Sequence, residues 1–117
     1  MERAVVGLLT KDPRLTAALA TFISTMLPEI ATDRGMVGPA PDVVVTTQAD
    51  CSWERCHQLV KAGARVIVLS PSALPSERLK YERAGAFALL PMSIERAGLL
   101  VEAIRMAAAG QRMTVAS

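Results

Sequence analysis

Two neutral hydroxyl side chains, Thr46 and Thr47, end an apolar run at the place where a parallel sheet carries its chemistry. The run from Pro41 to Thr47 contains three consecutive valines between a Pro-Asp pair and these threonines. It shows no alternation of apolar and polar residues, which indicates a strand buried on both faces of a parallel sheet. Ligands of open α/β sheets bind beyond the carboxyl ends of the strands, so we expect a site near Thr47. No carboxylate follows until Asp50, so the strand end itself offers only hydroxyl chemistry.

Two further groupings contain residue types that could do chemistry, and both have simpler interpretations. Cys56 and His57 place a thiol beside an imidazole. Neighbouring helical residues point about 100° apart and do not hydrogen-bond side chain to side chain, so we predict a buried Cys56 and a solvated His57. Residues 35–38, Gly-Met-Val-Gly, lack the Gly-Lys-Ser/Thr ending of a phosphate loop and precede a strand instead of a helix. We interpret them as a turn.

Composition limits the classes of protein that the chain can represent. Its 117 residues, 51% of them hydrophobic, suffice for one domain with a single core. No apolar run approaches the ~20 residues of a membrane span, and no secretory signal is present, so we expect a cytoplasmic protein without a membrane partner. The spacing of Cys51 and Cys56 suggests neither a disulfide nor a zinc site. The net charge of +2 is dispersed and aromatics make up 3%, which argues against direct nucleic-acid binding.

The elements that must position the threonines alternate between strands and helices. Residues 3–9 form a first apolar run, and Asp12 with Pro13 marks the start of a helix. Helical spacing predicts one apolar face on it, formed by Leu15, Leu19, Phe22, Ile23 and Met26. Residues 29–32 can form a short second strand. Residues 33–40 are rich in Gly and Pro and too short for a regular crossover helix, so the second helix is expected to be missing or shortened.

After the valine strand, Ser52 or Asp50 can start a helix that ends at Gly63. Three of its residues are predicted to face inward: Trp53, Cys56 and Val60. Residues 65–70 are a second apolar run without alternation, which predicts another central strand. The polar segment 76–83 predicts a loosely held helix, with Leu79 as its one strong apolar residue.

The last strand is predicted over residues 85–90, and Ser93 is expected to cap the final helix, which ends at Gly110. The buried stripe of that helix is predicted to consist of Ile94, Ala97, Val101, Ile104 and Ala108. Residues 111–117 have the composition of a linker. Five strands alternating with four or five helices imply a parallel sheet covered on both faces.

The order and spacing of these pieces resemble the receiver domain of bacterial two-component response regulators. Three segments carry most of the resemblance: 41–45 (Pro-Asp-Val-Val-Val), 66–71 (Val-Ile-Val-Leu-Ser-Pro) and 84–91 (Ala-Gly-Ala-Phe-Ala-Leu-Leu-Pro). Residues 103–105 (Ala-Ile-Arg) and 109–110 (Ala-Gly) follow in family order. The resemblance implies an α/β, CheY-like (flavodoxin-like) three-layer fold with a five-stranded parallel sheet. The final helix and its tail are most similar to those of regulators that carry a LuxR-type helix-turn-helix. This similarity implies a receiver-like domain at 1–110. Residues 111–117 would then begin a linker to an output domain, which these 117 residues do not include.

The resemblance also assigns the residues of the phosphorylation pocket. In the family, an acidic pair after the first strand holds magnesium, an aspartate ending the third strand accepts the phosphoryl group, a Ser or Thr ends the fourth strand, and a lysine follows the fifth. Matching without gaps places Thr10 and Lys11 at the acidic pair and Thr47 at the phosphoacceptor. Ser70 falls at the hydroxyl position, and Met92 falls at the lysine position. Leu89 stands at the position of the family's switching aromatic. Only Ser70 keeps the chemistry of its position.

These replacements predict a disabled pocket with no metal, no cofactor and no catalytic residue, and therefore a protein that is not an enzyme. A hard divalent cation needs several oxygen ligands, carboxylates usually among them. A threonine hydroxyl cannot form the family's acyl phosphate, and no lysine or metal neutralises the charge of a transferred group. A shifted register of the first loop is the alternative: Asp12 would then enter the pocket and Asp50 could reach it from the far side. We interpret Asp12 as a helix cap.

The last helix offers a candidate dimer surface. Leu99, Ala103 and Met106 lie off the predicted buried stripe, and the small residues 107–109 allow another helix to approach closely. We therefore expect a homodimer that associates through this helix, together with the polar helix at 76–83 and the last strand.

Three functional hypotheses follow from the resemblance. The first is a pseudo-receiver that serves as a phosphorylation-independent regulatory and dimerisation module of a transcription regulator, which binds DNA through a domain outside this chain. The second is a localisation or protein-interaction module of the kind found at the N-termini of ParA/MinD-like ATPases in pilus assembly. The third is a small-molecule sensor that uses the neutral pocket around Thr10, Thr47 and Ser70.

Overall fold

Alternating strands and helices make up the chain in the computed structural model, which describes residues 4–34, 41–71, 74–93 and 97–110. The elements of these residues are, in chain order, β1 Val5–Leu9, α1 Pro13–Met26, β2 Ala31–Arg34, β3 Val43–Thr47, α2 Trp53–Lys61, β4 Arg65–Ser70, α3 Pro75–Ala84, β5 Ala88–Pro91 and α4 Ala97–Ala108. The predicted order of elements is confirmed. The second and fifth strands begin two or three residues later than predicted.

The five strands form one parallel sheet in the order β2-β1-β3-β4-β5. Helices α1 and α4 supply the apolar core on one face, and α2 and α3 supply the core on the other. This arrangement is the predicted three-layer α/β fold. It places β3 in the centre and brings the carboxyl ends of β1, β3, β4 and β5 to one edge of the sheet.

Strand β3 is buried along its whole length, as the unalternating valine run predicted. Val43 and Val45 belong to the core beneath α1 and α4, whereas Val44 belongs to the core beneath α2 and α3. Successive side chains of a strand point to opposite faces, so both sides of β3 must be apolar.

The predicted starts of the first two helices are confirmed, whereas the predicted cap at Ser93 borders residues outside the described ranges. The Asp12 carboxylate accepts a hydrogen bond from the Arg14 N–H at 2.9 Å and caps α1, with Pro13 as the first helical residue. The Ser52 hydroxyl accepts from the Arg55 N–H at 3.2 Å and caps α2. These caps fix where each helix leaves the edge of the sheet at which the candidate site lies.

Several predicted inward positions are wrong because the helices rotate differently against the sheet. Trp53 is 43% exposed, since α2 begins at this residue and only Cys56 of that helix is buried. Met26, at the end of α1, is also exposed. In α3 the buried residues are Tyr81 and Ala84, and Leu79 points to solvent.

The predicted buried stripe of α4 is confirmed at Val101 and Ile104, whereas Ala97 and Ala108 are only half-buried. Its buried residues are Leu100, Val101, Ala103, Ile104 and Ala107. Ala103, predicted to be part of an outward dimer surface, is fully buried, because α4 lies on the sheet with its alanines towards the strands. Leu99 remains exposed and Met106 is half-buried.

Some predictions concern residues outside the described ranges. They include Ile94 in the α4 stripe, the turn at 35–38 and the linker at 111–117. Among the residues that are described, no helix is both long and apolar enough to span a lipid bilayer.

Substitution of Gly85 tests how much the left-handed turn between α3 and β5 contributes to stability. Gly85 has φ of +96°, and an added Cβ would lie 3.0 Å from Cγ1 of Val60. We expect Gly85→Ala to lower the free energy of unfolding by about 1 to 2 kcal/mol, because a Cβ is strained in the left-handed region. The measurement is urea denaturation followed by circular dichroism. Gly98→Ala is the matched control: nothing lies within 4 Å of its added Cβ, and removing a glycine from a helix should raise stability by about 0.5 kcal/mol.

Candidate functional site

The register of the sheet brings the predicted pocket residues to one edge. Thr46 lies opposite Leu9 of β1, Thr47 lies opposite Leu69 of β4, and Ser70 lies opposite Pro91 of β5. The segments that follow these strands therefore meet at the carboxyl end of the sheet. The Thr46 hydroxyl donates a 2.7 Å hydrogen bond to the Leu9 carbonyl oxygen, which ties β3 to the end of β1.

Asp50 occupies the centre of this edge and joins two loops. Its Oδ2 accepts a 2.6 Å hydrogen bond from the Thr47 hydroxyl, and its Oδ1 accepts from the Lys11 N–H at 3.1 Å. The Thr47 hydroxyl oxygen in turn accepts from the Asp50 N–H at 3.1 Å. The loop after β1 is thus connected to the loop after β3 by one carboxylate, which we name the Asp50 bridge.

The surroundings of Asp50 favour its ionised form. The Thr47 hydrogen bond lowers the pKa of the Asp50 carboxyl, and the Lys11 N–H, the Thr10 hydroxyl and the Lys11 charge act in the same direction. Partial burial raises the pKa, but the net shift of the Asp50 pKa is downward. The Lys11 backbone thus binds the Asp50 carboxylate, and the Lys11 charge adds a weaker attraction, at the end of β1 where the family carries two acidic residues.

This donor set does not fit a divalent cation. Asp50 is the carboxylate that reaches the pocket, and both of its oxygens already accept hydrogen bonds. The Lys11 ammonium beside it would repel a cation. Within the described residues, no three His, Cys, Asp or Glu side chains are grouped so that they could hold a metal ion.

Ser70 belongs to a second polar chain on the other side of β3. Its hydroxyl donates to Oε1 of Gln48, and Nε2 of Gln48 donates to Oε2 of Glu77 at 3.2 Å. The chain connects the end of β4 to the first turn of α3. Together with the Asp50 bridge it engages the hydroxyls of the predicted neutral pocket in internal hydrogen bonds.

Met92 lies where the resemblance places a lysine, and its surroundings are apolar. It lines a cavity of about 310 Å³ between α1, α4 and the ends of β4 and β5, together with residues such as Leu15, Phe22 and Leu100. Leu89, at the switching-aromatic position, is half-buried in β5 and contributes to a second cavity beside α3.

The thiol and imidazole beside each other in α2 do not form a catalytic pair. His57 Nδ1 lies 3.3 Å from the Ala84 carbonyl oxygen of α3. Cys56 is fully buried, and burial raises the pKa of its thiol to about 11. Cys51 is also free and buried, and burial raises the pKa of its thiol as well. The prediction of a core Cys56 is confirmed.

The structure brings together Thr10, Lys11 and Thr47 through Asp50, whereas Ser70 and Met92 have separate surroundings at the same edge. From the sequence, Asp50 is expected as a possible helix start or as a ligand from the far side of the pocket, and Gln48 and Glu77 have no predicted role. A signal for Asp50 was present: an aspartate three residues after Thr47 can fold back onto the strand end in a tight turn. Nothing local indicated that Gln48 would reach both β4 and α3.

Comparison with known proteins identifies the fold. No protein-family model and no curated protein matches the chain. A LuxR-family two-component response regulator from Aurantimonas sp. SI85-9A1 is 21% identical, with a TM-score of 0.77 over 95% of this chain and 89% of that one. An orphan response regulator of H. pylori is 14% identical, with a TM-score of 0.74 over 92% and 99% of the two chains.

A third similar structure belongs to a protein described as pilus assembly-related, from Burkholderia pseudomallei K96243. It is 20% identical and has a TM-score of 0.70 over 94% of this chain and 92% of that chain. The structural neighbours thus include receiver domains of response regulators, some of the LuxR family. This similarity confirms the fold that the sequence resemblance implied.

Replacement of Asp50 tests the bridge. The folded-state pKa of Asp50 lies below its ordinary value of 3.8, so its contribution to stability is complete above that value and is lost as pH falls through the lower, folded-state pKa. We expect Asp50→Asn to reduce the free energy of unfolding at neutral pH by about 1 kcal/mol, a modest amount because the carboxylate is partly exposed.

Below pH 3.8, the free energy of unfolding of the variant should also decrease less with falling pH than that of the unaltered chain. Thermal denaturation from neutral to acidic pH measures both effects. Asp12→Asn is the matched control, because asparagine caps a helix as well as aspartate does. An Asp50→Asn variant with the same pH profile as the unaltered chain would contradict the bridge.

Proposed function

We propose that the chain is an atypical receiver domain that regulates its output without phosphorylation. The observation that carries this proposal is the Asp50 bridge: the Thr47 hydroxyl, at the phosphoacceptor position, already donates to a carboxylate 2.6 Å away. An anion approaching Thr47 would meet the Asp50 charge, and Met92 stands where the family carries the lysine that pairs with the phosphoryl group.

The chemistry of the acceptor supports the same proposal. Thr47 is 4% exposed, so its hydroxyl is poorly accessible to a phosphoryl donor. Phosphorylation of a hydroxyl would give a phosphate monoester, which lacks the reactivity of an aspartyl phosphate. The Asp50 bridge also holds the β1 and β3 loops together without a ligand, so one conformation of this edge is favoured at rest.

A receiver of this kind must be switched by association or by a ligand that binds one of its conformations more tightly than the other. Homodimerisation through α4 is the form of regulation that we propose. With Ala103 in the core, the outward apolar residues of α4 are Leu99, which is 37% exposed, and the half-buried Met106. Leu89 lines a cavity beside α3 and β5, to which the charged residues Arg78 and Glu82 also contribute.

The output that we propose is transcription regulation in the cytoplasm, with DNA bound by a domain outside this chain. Its support is the similarity to LuxR-family response regulators. A second candidate is a localisation or interaction module in pilus assembly, which the similarity to the Burkholderia pseudomallei protein favours. The reading frame beyond Ser117 separates the two: a helix-turn-helix supports the first and a Walker-type nucleotide-binding loop supports the second.

Titration with magnesium and beryllofluoride, a mimic of the bound phosphoryl group, tests phosphorylation independence. We expect no saturable change in the amide NMR resonances of Thr10, Thr47 and Ser70, because the pocket lacks the carboxylates that bind the metal. The matched control restores the family residues in the variant Thr10→Asp/Lys11→Asp/Thr47→Asp/Met92→Lys, which should gain magnesium-dependent shifts. Saturable shifts in the unaltered chain would mean that the pocket works as an ordinary receiver site.

Sedimentation equilibrium tests the dimer. We expect Leu99→Glu to weaken self-association by about tenfold or more, because a carboxylate would be buried at an apolar contact. Met26→Glu, which also places a charge at an exposed apolar position, should leave the association constant within about twofold. A monomeric unaltered chain, or equal weakening by both variants, would be inconsistent with α4 as the dimer surface.

A further inference from the structure

A groove lies between α2 and α3, on the face of the sheet opposite α4. Its volume is about 330 Å³, and its lining consists of Trp53, His57, Lys80, Arg83 and Ala84. The two helices cover the same face of the sheet. The groove therefore opens outward from the α2 and α3 side of the domain.

Helical spacing explains how these side chains meet. Trp53 and His57 are four residues apart and share one face of α2, and Lys80, Arg83 and Ala84 share one face of α3. His57 Nδ1 approaches the Ala84 carbonyl oxygen at 3.3 Å and so links the two helices at the groove. Ala84 is small and buried, which leaves room above it.

Trp53 gives the groove an apolar wall. It is the one tryptophan of the chain, and 43% of it is exposed although it borders a concave surface. A single exposed apolar side chain is ordinary on a protein surface. A tryptophan beside a cavity and next to cations is the composition found where a few residues dominate the binding of a partner.

The charge of the lining is of one sign. Lys80 and Arg83 are its charged residues, and no carboxylate is found among the described residues that line it. Lys80 forms an exposed ion pair with Glu77, at 3.6 Å, which is weak in water. Within the part of the chain that the structure describes, Arg83 forms no ion pair, so its guanidinium is available to a carboxylate.

We propose that this groove is a docking site for an acidic peptide segment of a partner protein. An apolar side chain of the segment packs against Trp53, while its carboxylates pair with Arg83 and Lys80. Charge complementarity selects an acidic partner, and the apolar wall selects a segment that carries at least one aliphatic or aromatic side chain. Two cations are too few to make this a nucleic-acid surface. The site is independent of the phosphorylation state of the domain and of dimerisation through α4.

The test uses a labelled chain and a defined probe, the peptide acetyl-Glu-Asp-Leu-Glu-Asp-amide. Because Trp53 is the one tryptophan, its indole N–H resonance and its fluorescence report binding directly. We expect a saturable shift of that resonance that weakens as salt is added, and no comparable shift with a peptide in which lysines replace the carboxylates. Arg83→Glu should weaken binding by about tenfold or more, since it replaces attraction by repulsion.

Arg14→Glu is the matched control, because Arg14 is an exposed cation on α1 with the same effect on net charge. It should change the affinity by less than about twofold. Lys80→Glu provides a second groove variant, and an unchanged NMR spectrum away from α2 and α3 verifies that each variant is folded. Equal shifts with the acidic and basic peptides, no shift at Trp53, or equal weakening by Arg14→Glu would overturn the proposal. Binding of ATP without binding of the acidic peptide would overturn it in favour of a small anionic ligand.

Discussion

One carboxylate determines the arrangement of the functional edge of this domain. Asp50 accepts hydrogen bonds from the Thr47 hydroxyl and from the Lys11 N–H, and these contacts connect the loops that follow β3 and β1. In a parallel sheet, several strands end at the same edge, where their polar groups need partners. Here the chain itself supplies them. The Asp50 carboxylate thus connects the two loops through hydrogen bonds within the chain, and the positive charge of Lys11 favours its ionised form.

The burial of β3 makes such internal pairing necessary. Thr47 and Ser70 lie at the ends of fully covered strands and are almost inaccessible to water. A buried hydroxyl without a partner would cost about 1 to 3 kcal/mol. Both have a partner in the loop after β3: Asp50 accepts from Thr47, and Gln48 accepts from Ser70. Among the described residues, no buried side-chain nitrogen or oxygen lacks a hydrogen bond. The polar side chains at this edge of the sheet therefore have their hydrogen-bond partners within the chain.

The two outward surfaces of the domain differ in how they arise. On α4, Ala103 and Ala107 lie against the sheet, and the large apolar side chains that remain at least partly exposed are Leu99 and Met106. On the opposite face, Trp53 is the first residue of α2, directly after the Ser52 cap, and its side chain is exposed instead of buried in the core. The first surface suits association between apolar helices, and the second combines an indole with cations. The proposed dimer surface and the proposed docking groove therefore lie on opposite faces of the sheet.

The sequence alone determined the strand and helix order, the central position of the valine strand, the caps at Asp12 and Ser52 and the absence of acidic residues at the strand ends. These features depend on local patterns: runs without alternation, capping side chains and residue types at fixed positions. Tertiary structure decided that Asp50 folds back to bridge two loops, that Gln48 joins β4 to α3, that Ala103 is buried and that Trp53 is exposed. These outcomes depend on how each helix is rotated against the sheet and on which loops meet at its edge, and such long-range packing leaves no periodic signal in a single sequence.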